Sequence, residues 1–371
     1  MGLATRDRNL LKIAVALPAV VGCVGWSVHI VLRSLGIERS PALSAIGAVA
    51  ALYLFRRVRI ATRRASRENS TLFLERECRN KALVTGCTSG LGKAFAEGLR
   101  RRGVGLVLAS RDAEKLRALK AFLEATYPTG QPIEIVVHDF STRDRKFYCE
   151  KHFSGVGLVV NNVGVGTEDP LRIDEVSPEA IDGMIAVNCA ATTHMCRAAL
   201  PALAEQGGGV VVNVSSGSAA QPTPHLAVYA ATKAFVAHLS RSLDREWRST
   251  KRVRVLCIAP YYISGTGLFA SERSTFNAPP AKVVVDGTLR TLATPALRDL
   301  ELTYTNPAHA FIAFLFTCIA EDPVLGPLAR LAATFGNFNA SMLMVMTKAR
   351  ARFVANKNNN DDAHRRATTT K

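Results

Sequence analysis

Lys81-Ala82-Leu83-Val84-Thr85-Gly86-Cys87-Thr88-Ser89-Gly90-Leu91-Gly92 is the stretch whose reading decides the fold. Ala82 to Val84 is a short apolar run with turn residues after it, as a buried strand requires, and a helical stretch begins around Lys93. Between them Gly86, Gly90 and Gly92 let the backbone turn tightly and approach a ligand closely. A strand that runs through such a turn into a helix aims backbone N–H groups and the positive end of a helix dipole at one point, which suits a pyrophosphate. A glycine cluster alone is weak evidence, since any strand-to-helix turn can need glycine. The strand before it and the helix after it carry the inference.

The alternation continues downstream. Val104 to Ala109, Ile133 to Val137, Val156 to Val160, Val210 to Val214 and Val253 to Ile258 are short apolar runs separated by helical stretches. That pattern predicts a Rossmann-type α/β fold with a doubly wound parallel sheet, whose ligands lie at the carboxyl ends of the strands. After the second run stands Ala109-Ser110-Arg111, at the point where an acid would bind the adenosine ribose of NAD. Arginine cannot accept those hydrogen bonds, whereas its planar cation suits a 2′-phosphate, so NADPH is expected over NADH. Arg111-Asp112 also fits the start of a helix as a cap. Asp139 follows the third run and Asn161-Asn162-Val163-Gly164 the fourth; both asparagines also suit an ordinary turn.

Tyr229-Ala230-Ala231-Thr232-Lys233 opens a helical stretch from Ala227 to Trp247, and the four-residue spacing puts Tyr229 and Lys233 on one helix face. A phenol is a poor acid-base group near neutrality, and a neighbouring ammonium together with a cationic nicotinamide favours its phenolate. Ser216, thirteen residues earlier in Asn213-Val214-Ser215-Ser216-Gly217, stands where its hydroxyl meets a carbonyl oxygen that gains charge. Asn188 lies upstream in Val187-Asn188-Cys189. Taken singly, Tyr and Lys four apart mean nothing, and a serine at a strand end is more often a cap. The ordered series of glycine turn, Asn-Asn-x-Gly, Asn, Ser, Tyr and Lys is what carries meaning. The expected chemistry is reduction of a carbonyl, with Tyr229 giving a proton to the oxygen.

With its T-G-x-x-x-G-x-G turn and this series, the chain from residue 81 to about 265 resembles the short-chain dehydrogenase/reductase superfamily. The resemblance implies Tyr229, Lys233, Ser216 and Asn188 as catalytic residues, Lys233 also holding the nicotinamide ribose and Asn188 a water that relays protons. For the cofactor it implies Gly86, Thr88, Ser89, Gly90, Leu91, Gly92, Ser110, Arg111, Asp139, Asn162, Gly164, Tyr229, Lys233, Pro260, Ile263 and Thr266, with no metal. One departure lies in Pro260-Tyr261-Tyr262-Ile263-Ser264-Gly265-Thr266, whose threonine comes one position late. Within the superfamily the basic, doubly apolar leader, Ser110-Arg111, Asp139-Phe140 and Ser215-Ser216-Gly217-Ser218 resemble the microsomal branch of very-long-chain 3-oxoacyl-CoA reductases and 17-beta-hydroxysteroid dehydrogenases. That implies reduction of 3-oxoacyl-CoA in fatty-acid elongation at the endoplasmic reticulum. A 17-ketosteroid reductase, a catalytically idle membrane scaffold of a lipid-synthesis complex and, last, a soluble epimerase are the competing readings. A homodimer and a lipid-synthesis enzyme complex are the expected assemblies.

The net charge of +17 invites a nucleic-acid partner, but its placement argues for a membrane. Residues 1–67 hold eleven Lys or Arg against Asp7 and Glu38, beside two uncharged runs. Ile13 to Leu32 has the roughly 20 residues a membrane-crossing helix needs, and reads as an uncleaved anchor more readily than as a cleaved signal. Pro41 to Phe55 is short for a span and either pairs with the first run as a tilted hairpin or lies re-entrant. Six arginines between Arg56 and Arg67 predict that the remainder faces the cytosol. The expected organisation is an anchor at 1–67, a catalytic domain at 78–266, a substrate lid and C-terminal helices at 267–354, and a disordered tail at 355–371. The eight scattered cysteines read as buried thiols.

Overall fold

The computed structural model describes residues 73–74, 78–167, 169–220, 222–265, 278–293 and 302–303. The chain forms two compact units, Met1–Arg67 and Glu68–Lys371, and the described residues all belong to the second. The two apolar runs, the arginine cluster, Thr266, most of the expected lid, the apolar stretches at 308–320 and 340–354 and the tail lie outside the described residues. Among the described residues no helix is long and apolar enough to cross a membrane.

The sheet contains β1 (Lys81–Thr85), β2 (Gly105–Ser110), β3 (Ile133–Val137), β4 (Leu158–Asn161), β5 (Gly209–Val214), β6 (Val253–Ile258) and β7 (Leu302–Thr303). Its order is β3-β2-β1-β4-β5-β6-β7, and every pair is parallel. The direction of winding reverses between β1 and β4, which opens a crevice at their carboxyl ends. The crossovers are α1 (Gly90–Arg100), α2 (Ala113–Thr126), the short α3 (Pro178–Met184), α4 (Thr192–Glu205), α5 (Ala227–Lys251) and α6 (Ala281–Ala293). A π-helical segment, Ile185–Ala191, joins α3 to α4.

Strands buried on both faces explain why these runs are continuously apolar rather than alternating. Ala82, Val84, Leu106, Leu108, Val160 and Val212 face one side and pack with Leu91, Phe95 and Leu99 of α1. Leu83, Val107, Val159, Val211 and Val255 face the other and pack with Met195, Cys196, Ala199, Leu200 and Leu203 of α4. Each large side chain so buried contributes about 1.5–3 kcal/mol. Six described cysteines are free thiols, and burial pushes those of Cys87 and Cys257 up to about 12.

Most strand ends differ from the sequence reading by a residue, and three differences are larger or more informative. β4 starts at Leu158, because Val156 belongs to a turn closed on the Phe153 carbonyl. α5 continues past Trp247 to Lys251 and ends at Arg252, which takes a left-handed φ of 55°. The stretch expected to form a lid without strong periodicity contains α6, whose Val284, Val285, Leu289 and Leu292 pack into the α1 side of the core, and β7, which extends the sheet. Their spacing of one, four and three residues is helical.

Candidate active site

The glycine turn meets the demands of a phosphate cradle. Gly86 (φ 60°) and Gly90 (φ 52°) adopt left-handed conformations, and a Cβ on Gly92 would stand 2.2 Å from the Gly86 carbonyl oxygen. The turn therefore folds onto the start of α1 with no room for a side chain between them. Ser89 occupies the N-cap position of α1 without making a side-chain cap bond. Asn162 holds the turn from the β4 side: its Nδ2 donates to the carbonyls of Thr85 (3.0 Å) and Gly86 (3.1 Å). Both amide protons are thus engaged in bracing. Asn161 braces similarly, donating to Thr192 O and Asn213 Oδ1 at 3.2 Å each.

At the end of β2 the Thr88 and Ser110 hydroxyls are hydrogen-bonded at 3.2 Å, beside Arg111. Asp112 caps α2 by accepting from the Lys115 N–H at 3.0 Å, and Arg111, directly before it, lines the crevice. Asp139 Oδ1 accepts from the Ser141 N–H (2.9 Å) and hydroxyl (2.8 Å). The Ser141 N–H leads in holding that carboxyl below its ordinary range. His138, which the sequence reading passed over, also lines the crevice and stacks on Phe147, ring centroids 4.9 Å apart.

Tyr229 and Lys233 lie one turn apart near the start of α5, both buried. Ser216, whose Oγ accepts from the Ser218 N–H at 3.2 Å, lies close enough to the Tyr229 hydroxyl to draw the phenol downward. Lys233 Nζ donates to Val214 O at 3.1 Å and stands 5.7 Å from the centre of the Tyr229 ring. Burial pushes the Tyr229 phenol up to about 12, against the pull of Ser216, and pushes the Lys233 ammonium down to about 8. The expected lowering of the phenol by the ammonium is therefore not what dominates; loss of water around the ring does. At neutral pH Tyr229 keeps its proton, the form that a proton donor needs. Asn188 is fully buried, and its Nδ2 donates to Val165 O (2.8 Å) and Thr232 Oγ1 (2.9 Å) while its Oδ1 accepts from Val165 N–H (2.8 Å). Both amide protons are in use, so a water relay here requires the second lone pair of Oδ1 or the main chain.

One cavity of about 510 Å³ joins these features. Every sequence-predicted site residue lines it except Gly92, which supports the turn from behind, Asn188, which lies behind Val165, and Thr266, outside the described residues. A dinucleotide fits the cradle and the crevice by shape: glycines where a Cβ would collide, hydroxyls and a guanidinium at one end, a phenol and an ammonium at the other. The profile of the short chain dehydrogenase family matches residues 80–277.

The chain belongs to the short chain dehydrogenase family. It is accordingly an oxidoreductase by family and by fold. A very-long-chain 3-oxoacyl-CoA reductase of Anas platyrhynchos is 32% identical over 254 residues, covering 67% of this chain and 78% of that protein. An inactive hydroxysteroid dehydrogenase-like protein 1 of Homo sapiens is 36% identical over 218 residues, covering 57% of this chain and 65% of that protein. The solved short-chain dehydrogenase from Sphingobium yanoikuyae in complex with NADPH is 28% identical, with a TM-score of 0.53, over 60% of this chain and 86% of that one.

Several residues of this short chain dehydrogenase site carried no sequence signal. Thr85 Oγ1 accepts the N–H groups of Asn162 and Val163 at 3.0 Å each, joining the β1 and β4 ends. Gly217 has no side chain because the Tyr261 ring occupies that space, 2.4 Å from where a Cβ would lie. Val165, Val187, Leu226 and Tyr262 make the wall beside Tyr229 apolar. Only the three-dimensional neighbourhood distinguishes them from other threonines, glycines and apolar residues.

Proposed function

We propose that this chain is an NADPH-dependent reductase of a ketone on a lipid-like substrate, most specifically of very-long-chain 3-oxoacyl-CoA to the 3-hydroxyacyl-CoA. The observation that carries the reading is the gathering of Ser216, Tyr229 and Lys233 in the same cavity as the glycine cradle, with Lys233 Nζ 5.7 Å from the centre of the Tyr229 ring. When bound, the nicotinamide supplies the hydride. Ser216 then hydrogen-bonds the carbonyl oxygen as it gains charge, and Tyr229 gives that oxygen its proton. Lys233 lies one helical turn away, placed to hold the ribose and to return a proton toward the phenol.

Arg111, with the Thr88 and Ser110 hydroxyls, supports NADPH through its fit to a 2′-phosphate. The apolar wall of Val165, Val187, Leu226 and Tyr262 supports a greasy ketone, as does the printed name of the Anas platyrhynchos relative. The apolar run at 13–32 and the arginines at 56–67 support an anchor at 1–67 in the endoplasmic reticulum membrane, with the catalytic unit toward the cytosol. A second reading, an idle scaffold, is favoured by the relatives named inactive. The test is NADPH oxidation by the detergent-solubilised full chain, comparing 3-oxoacyl-CoA chain lengths with 17-ketosteroids. Turnover of a long-chain 3-oxoacyl-CoA, abolished in Tyr229→Phe with NADPH binding intact, is expected. Cofactor binding without turnover of any ketone supports the scaffold, and retained activity in Tyr229→Phe overturns the proton donor.

A further inference from the structure

The segment after β4 brings two glycines against the catalytic helix. A Cβ on Gly164 would lie 2.9 Å from Lys233 Nζ, and a Cβ on Gly166 would lie 3.1 Å from Cδ2 and 3.4 Å from Cε2 of the Tyr229 ring. Between these glycines Val165 is gripped on both sides, its N–H and its carbonyl each 2.8 Å from the Asn188 amide. Asn188 in turn donates to Thr232 Oγ1 at 2.9 Å, and that hydroxyl donates to Tyr229 O at 2.8 Å. A continuous set of hydrogen bonds therefore runs from the 164–166 backbone through Asn188 to the turn of helix that carries Tyr229. Met184 and Leu226 pack in the same buried cluster as the ring.

We propose that Gly166 is a positioning residue for Tyr229: the Val165–Gly166 backbone, clamped to Thr232 through Asn188, is the seat that sets the ring against Ser216. This rests on the reading of Tyr229 as proton donor. Gly166 is not among the residues lining the cavity, so a methyl group there presses on the ring without narrowing the site. No left-handed φ holds this position to glycine; the ring's proximity does. A displacement of a few tenths of an ångström moves the phenol off Ser216, and transfer geometry tolerates little more than about 0.5 Å.

The test uses Gly166→Ala, Thr232→Val, Thr232→Ser and, as a control at an exposed glycine with open space around it, Gly130→Ala. All are made in the full chain carrying 3-fluorotyrosine, with the Tyr229 resonance identified by its loss in Tyr229→Phe. The expected result is a fall in kcat of at least about tenfold in Gly166→Ala and Thr232→Val, with KM and NADPH affinity within about twofold. The pH midpoint of the Tyr229 fluorine resonance shifts in the same two variants. Thr232→Ser, which keeps the hydroxyl, restores both quantities, and Gly130→Ala alters neither. Unchanged kcat in Gly166→Ala, or a resonance midpoint that stays at the wild-type value in both variants, overturns the proposal. If Gly166→Ala does not fold, the Thr232→Val and Thr232→Ser pair decides. If the wild type turns over no ketone, the reductase reading fails while the fluorine midpoints still decide whether this seat positions Tyr229.

Discussion

Burial of Lys233 gives the site a measurable conflict between stability and chemistry. Its ammonium titrates near 8 in the folded chain against an ordinary 10.5, so the unfolded chain holds more protons between those values. Stability contributed at this position therefore rises as pH increases through that window. Lys233→Met removes the buried charge: its melting midpoint at pH 7 is expected above wild type, the difference closing toward pH 10.5, while kcat falls by about 100-fold or more. A deficit in midpoint that is constant across pH contradicts this account. Arg111 is testable in a different currency, cofactor choice. Arg111→Ala should reduce kcat/KM with NADPH about 10–100-fold, the worth of a charge-assisted phosphate contact, and leave NADH unaffected. Equal losses with both cofactors would remove Arg111 from the 2′-phosphate. Tyr229, Lys233 and Ser216 were legible because their order and spacing are unusual. Thr85, Thr232 and Gly166 were not, because a threonine or glycine takes its role from what stands across from it.

At the scale of elements, the junction of β1 and α1 was the most readable part of the chain. Three glycines in seven residues after an apolar run leave few alternatives to a tight strand-to-helix turn. Gly92 is its least replaceable member, since a Cβ would meet a backbone carbonyl that cannot rotate away. Gly92→Ala is expected to weaken NADPH binding by at least about 100-fold in a fluorescence titration while far-ultraviolet dichroism stays near wild type. Binding within threefold of wild type would show that the turn accommodates a side chain. Less readable was the π-helical Ile185–Ala191, which turns Asn188 toward Val165. Nothing in its residues marks an i to i+5 pattern, and the segment packs against α5 as well as its neighbours α3 and α4.

On the scale of the molecule, α6 and β7 show how far the Rossmann-type unit extends beyond the expected boundary at residue 266. Leu289 is almost fully buried on the α1 side, so Leu289→Ala should cost about 2–5 kcal/mol in chemical unfolding, chiefly through the cavity left behind. A cost under about 0.5 kcal/mol would place α6 outside the cooperative unit. The buried Asn213, donating to Ser240 Oγ at 2.9 Å and accepting from Asn161, illustrates the same dependence on tertiary setting. Hydrophobic periodicity and turn chemistry determined by themselves the α/β class and the glycine turn, because each depends on residues close in sequence. Tertiary structure alone decided that Asn162 braces the turn, that the Tyr229 ring is buried, and that the Gly166 backbone lies against it. Those outcomes depend on desolvation and on contacts between segments far apart in the chain, which no local pattern encodes.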